Sequence, residues 1–434
     1  MRAMTVLRVF VLLLLAFAAS SRAEVERLTI LHLNDLHARL LPDERGMGGF
    51  AHVATAIRSE RAKAENPIVL HAGDMVQGSP VSTIFEGLPV FEVANTLGID
   101  AHCLGNHEFD YGWERIKDFE RAAAAPILAA NVVDGQGRRL VGAAAVLAAG
   151  NLKVGVVGAL TPMLPHLLKP GQMGPWTAAR LVAGLRDTVR EMERRADLVV
   201  VLGHLFDDED ELVLRELPDV DVLVGGHDHG GRDVELVIDG RIGVKLRPYG
   251  RELGRLEIEF DTAADRIVDY SWSRIPIYSD RYSAHAETEE LVRHWEAKVS
   301  EKVDVQIGFC DTPLGRSAVQ ALVERAMLDA TGADIAYMNR GGVRDSLGRG
   351  PVMARHVWNI LPFDNSIVEA TVLGSELPEE ATGGRRVQPD RRYRFVTNDY
   401  VAGLSRYRNI HFRPTGEVLR DLMLDWVAAR ERVP

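Results

Sequence analysis

Side chains that can bind metal ions recur at the ends of five apolar segments of this sequence. They are Asp35 and His37 in "HLNDLHA", Asp74 in "HAGDMVQGSP", Asn106 in "GNHEFD", His204 in "LGHLFDD", and His227 and His229 in "GGHDHG". Nitrogen and oxygen ligands without cysteine suit zinc, manganese, iron or cobalt. These ligands are too many for one four-coordinate ion, but with one shared carboxylate they suit two ions roughly 3.5–4 Å apart. The pattern therefore predicts a dinuclear metal centre.

Each candidate ligand alone has a simpler structural explanation. A Gly-Asp or Gly-Asn pair after a strand is typical of turns, and a single histidine at a strand end is usually a hydrogen-bonded surface or core residue. The histidines expected to be of that structural kind are His32, His52, His71, His102 and His166. The metal hypothesis depends instead on the joint pattern, in which every candidate ligand comes directly after an apolar segment.

Short apolar segments alternate with helical patterns from residue 27 to about residue 255. The predicted strands are "LTILHLND", "PIVLHAGD", "IDAHCLGN", "PILAANVV", "LKVGVVGAL", "ADLVVVLGH" and "VDVLVGGHDH", and "GRLEIEFD" with "RIVDYSWSRIPI" is predicted to close the unit as an antiparallel pair. Helical patterns such as "WERIKDFERAAA" lie between several of them. Strands that are apolar on both faces and separated by helices predict sheets covered by helices. Ligands bind at the carboxyl ends of strands in such folds, so the five polar loops are expected to converge.

The pattern divides the chain into a larger and a smaller α/β unit. Residues 24–275 are predicted to form the larger domain. Residues 276–303 are predicted to be a linker and a connecting helix, because Leu291, Trp295 and Val299 lie four residues apart. Residues 304–434 follow as the second unit, with a helical "AVQALVERAMLDATG", a strand "ADIAYMN" and the glycine-rich "NRGGVRDSLGRG".

The first 23 residues have the features of a secretory signal peptide. Arg2 and Arg8 precede an apolar run from Val9 to Ala19, and Ser21-Arg22-Ala23 is a small-x-Ala cleavage site. The run is shorter than the roughly 20 residues of a membrane span. We therefore expect a periplasmic or secreted protein without a stable membrane anchor.

Charge and cysteine content exclude some classes of protein. The formal net charge of −11 is a poor match for a nucleic-acid polymer, whose phosphate backbone requires clustered Lys and Arg. Small anionic ligands remain compatible, because a few arginines or metal ions can reverse the charge locally. The two cysteines, Cys103 and Cys310, fall in different predicted domains, so we expect two buried free thiols, with a pairing left open.

The set of motifs resembles the calcineurin-like metallophosphoesterases, and "GNHEFDYG" resembles the periplasmic 5′-nucleotidase/UDP-sugar hydrolase family in particular. The resemblance implies a layered α/β/β/α metallophosphoesterase domain joined by a helix to a smaller α/β C-terminal domain that binds substrate. It places Asp35, His37 and His229 on one metal. It places Asn106, His204 and His227 on the other, with Asp74 bridging, and it makes His107 and Asp110 the catalytic pair.

This resemblance implies a hydrolase of phosphoric esters, most simply one that releases phosphate from nucleotides by attack of metal-activated water. Two divalent ions, zinc, manganese, cobalt or iron, would be the cofactors, and a small phosphorylated molecule such as a nucleotide would be the substrate. His107, held by Asp110, would donate a proton as charge builds on the phosphoryl or leaving-group oxygen.

The second unit supplies candidate substrate contacts. In "MNRGGVRDS", Arg340 and Arg344 flank a Gly-Gly turn, and arginine forks suit bidentate phosphate recognition. The resemblance favours Arg344 for the substrate phosphate. It also makes Phe363 in "LPFDNS" and Tyr400 in "VTNDYVAG" stacking surfaces for a base, with Asn365 beside Phe363.

The sequence departs from the family at two places in the substrate pocket. Gly308 stands where the family usually has another phosphate-binding arginine, and "AGLSRYRNI" replaces the Gly-Gly-Asp-Gly-Tyr motif expected after Tyr400. The substrate is therefore left open between a 5′-nucleotide and other esters: a 2′,3′-cyclic phosphodiester, a nucleoside-diphosphate sugar or a sulfur ester. A protein that binds nucleotides without hydrolysing them is the alternative from another functional class.

Overall fold

The computed structural model describes residues 25–434, so the predicted signal peptide, residues 1–23, lies outside the described residues. Within residues 25–434, every helix is too short or too polar to cross a membrane. The α-helices, α1 to α12 in chain order, are Phe50–Arg61, Pro80–Ile84, Leu88–Ala94, Trp113–Ala122, Leu181–Glu193, Asp207–Glu216, Ala286–Val303, Arg316–Thr331, Ala354–Ile360, Glu379–Thr382, Asp399–Gly403 and Leu419–Arg430.

The strands form two large sheets followed by smaller ones. The strands, β1 to β21 in chain order, are Val25–Leu33, Pro67–His71, Ala101–Cys103, Ile127–Leu128, Val132–Asp134, Ala144–Ala149, Leu152–Leu160, Trp176–Ala178, Leu198–Leu205, Val222–His227, Leu236–Ile238, Arg241–Lys245, Glu252–Asp261, Arg266–Pro276, Gln306–Cys310, Ile335–Ala336, Gly350–Met353, Ser366–Leu373, Arg392–Asn398, Arg413–Val418 and Arg432–Val433.

The two six-stranded sheets carry the loops of the predicted metal centre. The first has the order β14-β13-β1-β2-β3-β4, in which β1 to β4 are parallel and β13 and β14 are antiparallel neighbours. The second has the order β11-β12-β10-β9-β7-β6, with β7, β9, β10 and β12 parallel. Parallel neighbours end at the same edge of a sheet, so their carboxyl-terminal loops lie side by side.

The two sheets pack face to face, with helices on their outer faces. Ile30 and Leu70 of the first sheet meet Val156 and Val200 of the second in one buried cluster. Leu31, the residue after Ile30, points to the opposite face and packs with the helices there, as the two-residue period of a strand requires. Helices α5 and α6 cover the outer face of the second sheet. The order of layers is therefore α/β/β/α, as the family resemblance implied.

Helix α7 leads from these sheets to the rest of the chain. Its Val292 and Val299 are buried against the helices over the first sheet, and the Trp295 indole nitrogen donates a hydrogen bond of 3.0 Å to Glu92. Beyond it lie a three-stranded sheet, β17-β15-β21, and a four-stranded sheet, β16-β19-β18-β20. Helices α8 and α12 pack together against them in a separate core. The fold is a mixed α/β fold with a larger and a smaller part.

The two cysteines are free and buried, which confirms the expected pair of thiols. Cys103 ends β3 and Cys310 ends β15. Burial raises the pKa of the Cys103 thiol to about 12, so it stays protonated and unreactive at neutral pH.

Candidate active site

The five polar loops meet at the carboxyl-terminal edges of the two large sheets. Asp35 and His37 follow β1, Asp74 follows β2, and Asn106 follows β3. His204 lies near the end of β9, His227 ends β10, and His229 follows it. All the predicted ligands are buried except His227 and His229, which are half-buried.

Asp35, His37 and His229 form one group whose ligand atoms all lie within 4.8 Å of one another. The His229 Nε2 atom is 3.5 Å from the Asp35 carboxylate, and the His37 Nε2 atom is 3.8 Å from it. The two Nε2 atoms of His37 and His229 are 2.9 Å apart. Asn34 and the His227 backbone amide donate hydrogen bonds of 2.7 and 3.0 Å to Asp35, which fix the carboxylate.

Asp74, His204 and His227 form a second group of the same kind. The His204 Nε2 atom is 3.2 Å from Asp74, from the Asn106 side-chain oxygen and from His227 Nδ1. Asp74 is also 3.9 Å from the His37 Nε2 atom, so this carboxylate lies between the two groups. The structure thus brings together all the residues predicted as ligands.

The surrounding histidines keep the two buried carboxylates of the site ionised. Burial by itself raises the pKa of Asp35 and of Asp74, but the surrounding histidines hold both values well below the ordinary range. Burial lowers the pKa of His204, yet the adjacent Asp74 raises it to about 9. Burial and the nearby His204 lower the pKa of His227 to about 3. The carboxylates therefore keep their negative charge inside the protein.

The donor atoms fit divalent metal ions. Two imidazole nitrogens that face each other at 2.9 Å, as in His37 and His229, share one proton at most, whereas a cation between them would bind both lone pairs. The His227 Nε2 atom is buried without a hydrogen-bond partner among the described residues. Nitrogen and carboxylate ligands of this kind suit zinc, manganese, cobalt or iron.

His107 and Asp110 lie beside the second group. The His107 Nδ1 atom is 2.7 Å from the Asp110 carboxylate, and its Nε2 atom is 3.9 Å from Asp74. Burial lowers the pKa of His107, but the charges of Asp110 and Asp74 outweigh it and raise the value. The backbone amide of His107 donates a hydrogen bond of 2.9 Å to Asp74, which fixes the position of His107 relative to this proposed ligand.

A cavity of about 300 Å³ opens over the ligand groups and reaches the smaller part of the molecule. Of the predicted substrate residues, Arg344, Phe363, Asn365 and Tyr400 line it, and Arg340 does not. The Phe363 and His107 rings are 5.7 Å apart between centroids. The Arg344 guanidinium is 3.2 Å from the His37 Nε2 atom, which sets it within reach of a group bound at the ligands.

Gly308 does not face this cavity. It lies in β15, where an added Cβ atom would come within 2.9 Å of Val427. Arg316, at the start of α8, instead reaches the predicted phosphate loop and donates hydrogen bonds to the carbonyl groups of Val343 and Arg340. An arginine therefore supports the loop from a position that the sequence comparison with the family did not indicate.

Sequence reasoning missed three further groups at the site. Glu108 is buried and accepts hydrogen bonds from the backbone amides of Gly105 and Met75, at 2.7 and 2.8 Å, which ties two ligand loops together. Its place inside "GNHEFD" was the available signal. Gln77 and Lys169 line the cavity from irregular segments that have no periodic pattern, so no sequence signal indicated them.

Comparison with known proteins agrees with this geometry. Residues 28–231 match the calcineurin-like phosphoesterase family, and residues 299–380 match the 5′-nucleotidase C-terminal domain. The chain is 25% identical to protein UshA of Escherichia coli, covering 89% of this chain and 82% of UshA. It is also 25% identical to the 5′-nucleotidase of Vibrio cholerae, covering 94% of this chain and 91% of the relative.

Solved structures show the same fold over nearly the whole chain. A 5′-nucleotidase precursor from Thermus thermophilus superposes with a TM-score of 0.85 at 24% identity, covering 94% of this chain and 97% of that one. The sulfate thiohydrolase SoxB of Thermus thermophilus superposes with a TM-score of 0.83 at 16% identity, covering 94% of each chain. The two family matches and the fold agree: the chain carries a calcineurin-like phosphoesterase domain followed by a 5′-nucleotidase C-terminal domain.

Proposed function

We propose that this protein is an exported phosphoester hydrolase of the 5′-nucleotidase type, which uses two divalent metal ions to release phosphate from nucleotides. The observation that carries the proposal is the convergence of two Asp/His ligand groups beneath one cavity, with Asp74 between them. Export is supported by the signal-peptide pattern of residues 1–23.

Each metal ion has a set of proposed ligands. Asp35, His37 and His229 would hold one ion, and Asn106, His204 and His227 would hold the other, with Asp74 shared. Divalent ions held by these residues would supply Lewis-acid chemistry: they would polarise a phosphoryl oxygen and make water a better nucleophile. The remaining chemistry belongs to side chains that surround these ligands.

His107 is proposed to donate a proton to the substrate. Its Nδ1 atom is occupied by Asp110 at 2.7 Å, so the ring is fixed in orientation and its Nε2 atom remains for the substrate. A donor at this point would stabilise the negative charge that develops on a phosphoryl or leaving-group oxygen. Water attack in line with the leaving group requires no covalent intermediate on the protein.

Arg344 is proposed to bind the substrate phosphate, and Phe363 and Tyr400 are proposed to stack on its base. A guanidinium 3.2 Å from His37 can contact a phosphate held at the ligands with two parallel hydrogen bonds. Both aromatic residues line the same cavity, and stacking of a base on an aromatic ring contributes about 1–3 kcal/mol. Asn365 lines the cavity beside Phe363 and completes this proposed subsite.

A substrate panel run on metal-stripped protein, with each divalent ion restored in turn, tests the proposal. AMP, a 2′,3′-cyclic nucleotide, UDP-glucose and a sulfur ester are compared by kcat/KM. We expect AMP to be the best substrate and activity to return only with added metal. Faster turnover of the sulfur ester would assign the scaffold to another ester, and nucleotide binding without any hydrolysis would make the protein a binding protein.

A further inference from the structure

A second and larger cavity of about 520 Å³ lies next to the proposed catalytic cavity, on the other side of Arg344. Arg344 lines both cavities, so its guanidinium forms part of the wall between them. We name this second cavity the arginine cleft because its walls include six arginines, which are Arg39, Arg45, Arg251, Arg316, Arg344 and Arg355. It is lined by both the larger and the smaller part of the molecule.

The arginine cleft holds more positive than negative charge. Four carboxylates line it, and three of them are already paired with arginines of the same cleft. Those three pairs are Arg39 with Asp345 at 3.0 Å, Arg251 with Asp43 at 2.8 Å and Arg355 with Glu296 at 2.5 Å. Arg45, Arg316 and Arg344 have no ion-pair partner among residues 25–434, and Glu44 is the one carboxylate left to oppose them.

One guanidinium group of the cleft lacks an acceptor, and another is repelled by its neighbours. The Arg39 Nε atom is buried and has no hydrogen-bond partner among the described residues, although leaving a buried donor unpaired is destabilising. Partial burial lowers the pKa of Arg316, and repulsion from Arg344 and Arg340 lowers it further. An added anion would accept from the free Arg39 Nε atom and reduce the repulsion around Arg316.

Tyr249 connects the arginine cleft to the metal ligands. Its ring centroid is 5.6 Å from that of His37 and 5.7 Å from that of His229. The guanidiniums of Arg39 and Arg251 each lie 5.2 Å from the same ring. The arginines around Tyr249 therefore lie next to the proposed metal ligands.

We propose that the arginine cleft is a second anion-binding site, which takes inorganic phosphate and gives the phosphate product a route out behind the nucleoside. This inference rests on the proposed function, because it assigns the released phosphate to that reaction. Phe363 and Tyr400 line the proposed catalytic cavity, where the nucleoside product would lie between the phosphate and the opening of that cavity. The cleft lets phosphate depart past Arg344 without waiting for the nucleoside.

Equilibrium dialysis with radioactive inorganic phosphate tests the site in the metal-loaded full chain. The measurement is made with and without a saturating nucleoside phosphonate, which fills the catalytic cavity and cannot be hydrolysed. We expect two phosphates per chain without the phosphonate and one with it. One phosphate that the phosphonate removes completely would overturn the proposal, because the cleft would then hold none.

Arg251→Gln and Arg45→Gln test the location of the phosphate that resists the phosphonate. Each should weaken its binding about tenfold, since a charge-assisted contact is lost. Arg247→Gln is the matched control: Arg247 is 42% exposed and Arg251 41% exposed, and each is paired with an aspartate at 2.8 Å, but Arg247 lies outside the cleft. The control should leave the binding unchanged within about twofold.

The outcomes separate this inference from the function on which it rests. Equal losses in Arg251→Gln and Arg247→Gln would overturn the site, because only the overall charge would matter, and so would wild-type binding in both cleft variants. If the phosphonate displaces neither phosphate, the nucleotide assignment fails. The comparison of the arginine variants would then still test whether the arginine cleft binds phosphate.

Discussion

Backbone strain is concentrated at the residues of the proposed metal centre. Asp35, His37, Asp74 and His227 all have positive φ angles, between 48° and 80°. A non-glycine residue in this region costs on the order of 1–3 kcal/mol, so the surrounding fold must hold it there. The hydrogen bonds around Asp35 and the packing of the two sheets supply that restraint. The site is therefore preorganised at the expense of stability.

Replacing His107 by alanine tests the proton-donor role at the same scale. His107 is positioned to act on the substrate and is not one of the proposed ligands, so His107→Ala should lower kcat by roughly two to four powers of ten and leave the metal content unchanged. Steady-state kinetics and metal analysis of the purified protein check both results. His411→Ala, an exposed histidine in the smaller part, is the control. Loss of metal together with a high residual rate would contradict the role.

The sequence predicted the ligands better than the substrate residues, for a physical reason. Every proposed ligand lies near or just beyond the carboxyl end of a strand, and strands are marked by apolar runs, so the position of each side chain at the sheet edge could be foreseen. The residues of the Gly-Gly turn did not distinguish Arg340 from Arg344, and only the family resemblance favoured Arg344, which alone of the two lines the cavity. Which of two arginines at a turn reaches a cavity depends on tertiary packing, and the motif does not encode that packing.

Among the secondary-structure elements, long buried strands were foreseen and irregular ones were not. "LKVGVVGAL" is a strand over its whole length as β7, whereas "PILAANVV" divides into β4 and β5, and "ADIAYMN" contributes only the two residues of β16. Asn131 stands at the break between β4 and β5, where its side chain hydrogen-bonds the backbone of Leu160. An apolar run marks a segment as buried, but it does not show where pairing with a neighbour stops.

The end of β12 carries a buried lysine that supports the loops after β9 and β10. The Lys245 ammonium is 0% exposed, lies 2.7 Å from Asp210 and donates a hydrogen bond of 3.0 Å to the Leu205 carbonyl. Lys245→Met should destabilise the protein by about 3 kcal/mol, because the buried Asp210 loses its nearest partner and keeps only Arg232, at 3.2 Å. Chemical denaturation of the variant measures this loss.

The double variant Lys245→Met with Asp210→Leu provides the control for that prediction. It removes both charges, so most of the lost stability should return, as is common when a buried ion pair is replaced by apolar residues. Metal affinity is expected to be lower than in the wild type in both variants, since the Leu205 carbonyl next to His204 loses its donor. A double variant that is no more stable than the single one would contradict the explanation.

His32, a buried histidine of β1, makes stability depend on pH. The Trp272 indole donates a hydrogen bond of 3.0 Å to His32 Nε2, and burial lowers the pKa of His32 to about 3. In the unfolded chain the His32 ring binds a proton near pH 6.5, whereas in the folded protein it does so only near pH 3. Protonation of His32 therefore costs the folded protein no stability above pH 6.5, and stability is lost as the pH falls from 6.5 towards 3. Between about pH 7 and pH 5, the free energy of unfolding should therefore fall by about 2 kcal/mol more in the wild type than in His32→Gln. Denaturant titrations at both pH values measure it, and equal losses in the two proteins would contradict it.

At the scale of the whole molecule, the larger and smaller parts are joined by contacts that no sequence motif marks. Thr83 donates a hydrogen bond of 3.1 Å to the Pro362 carbonyl, and Arg355 pairs with Glu296 of the connecting helix α7. Lys169 donates a hydrogen bond of 2.8 Å to the Asp364 carbonyl and lies 3.3 Å from Asp399. These residues come from loops and helix surfaces without periodic patterns, so the relative placement of the two parts could not be predicted.

Lys169 is the contact that links this joint to the proposed catalytic cavity, which it also lines. Its ammonium bridges a loop of the larger part to two segments around Phe363 and Tyr400, so Lys169→Ala should loosen the proposed base-binding wall. The pair with Asp399 is about 30% exposed at both side chains, which limits its contribution to about 1 kcal/mol. We therefore expect KM for AMP to rise at most about fivefold with little change in kcat, and Lys153→Ala, an exposed lysine on β7, to leave both constants unchanged. A large fall in kcat with KM unaltered would instead mean that Lys169 takes part in the chemical step.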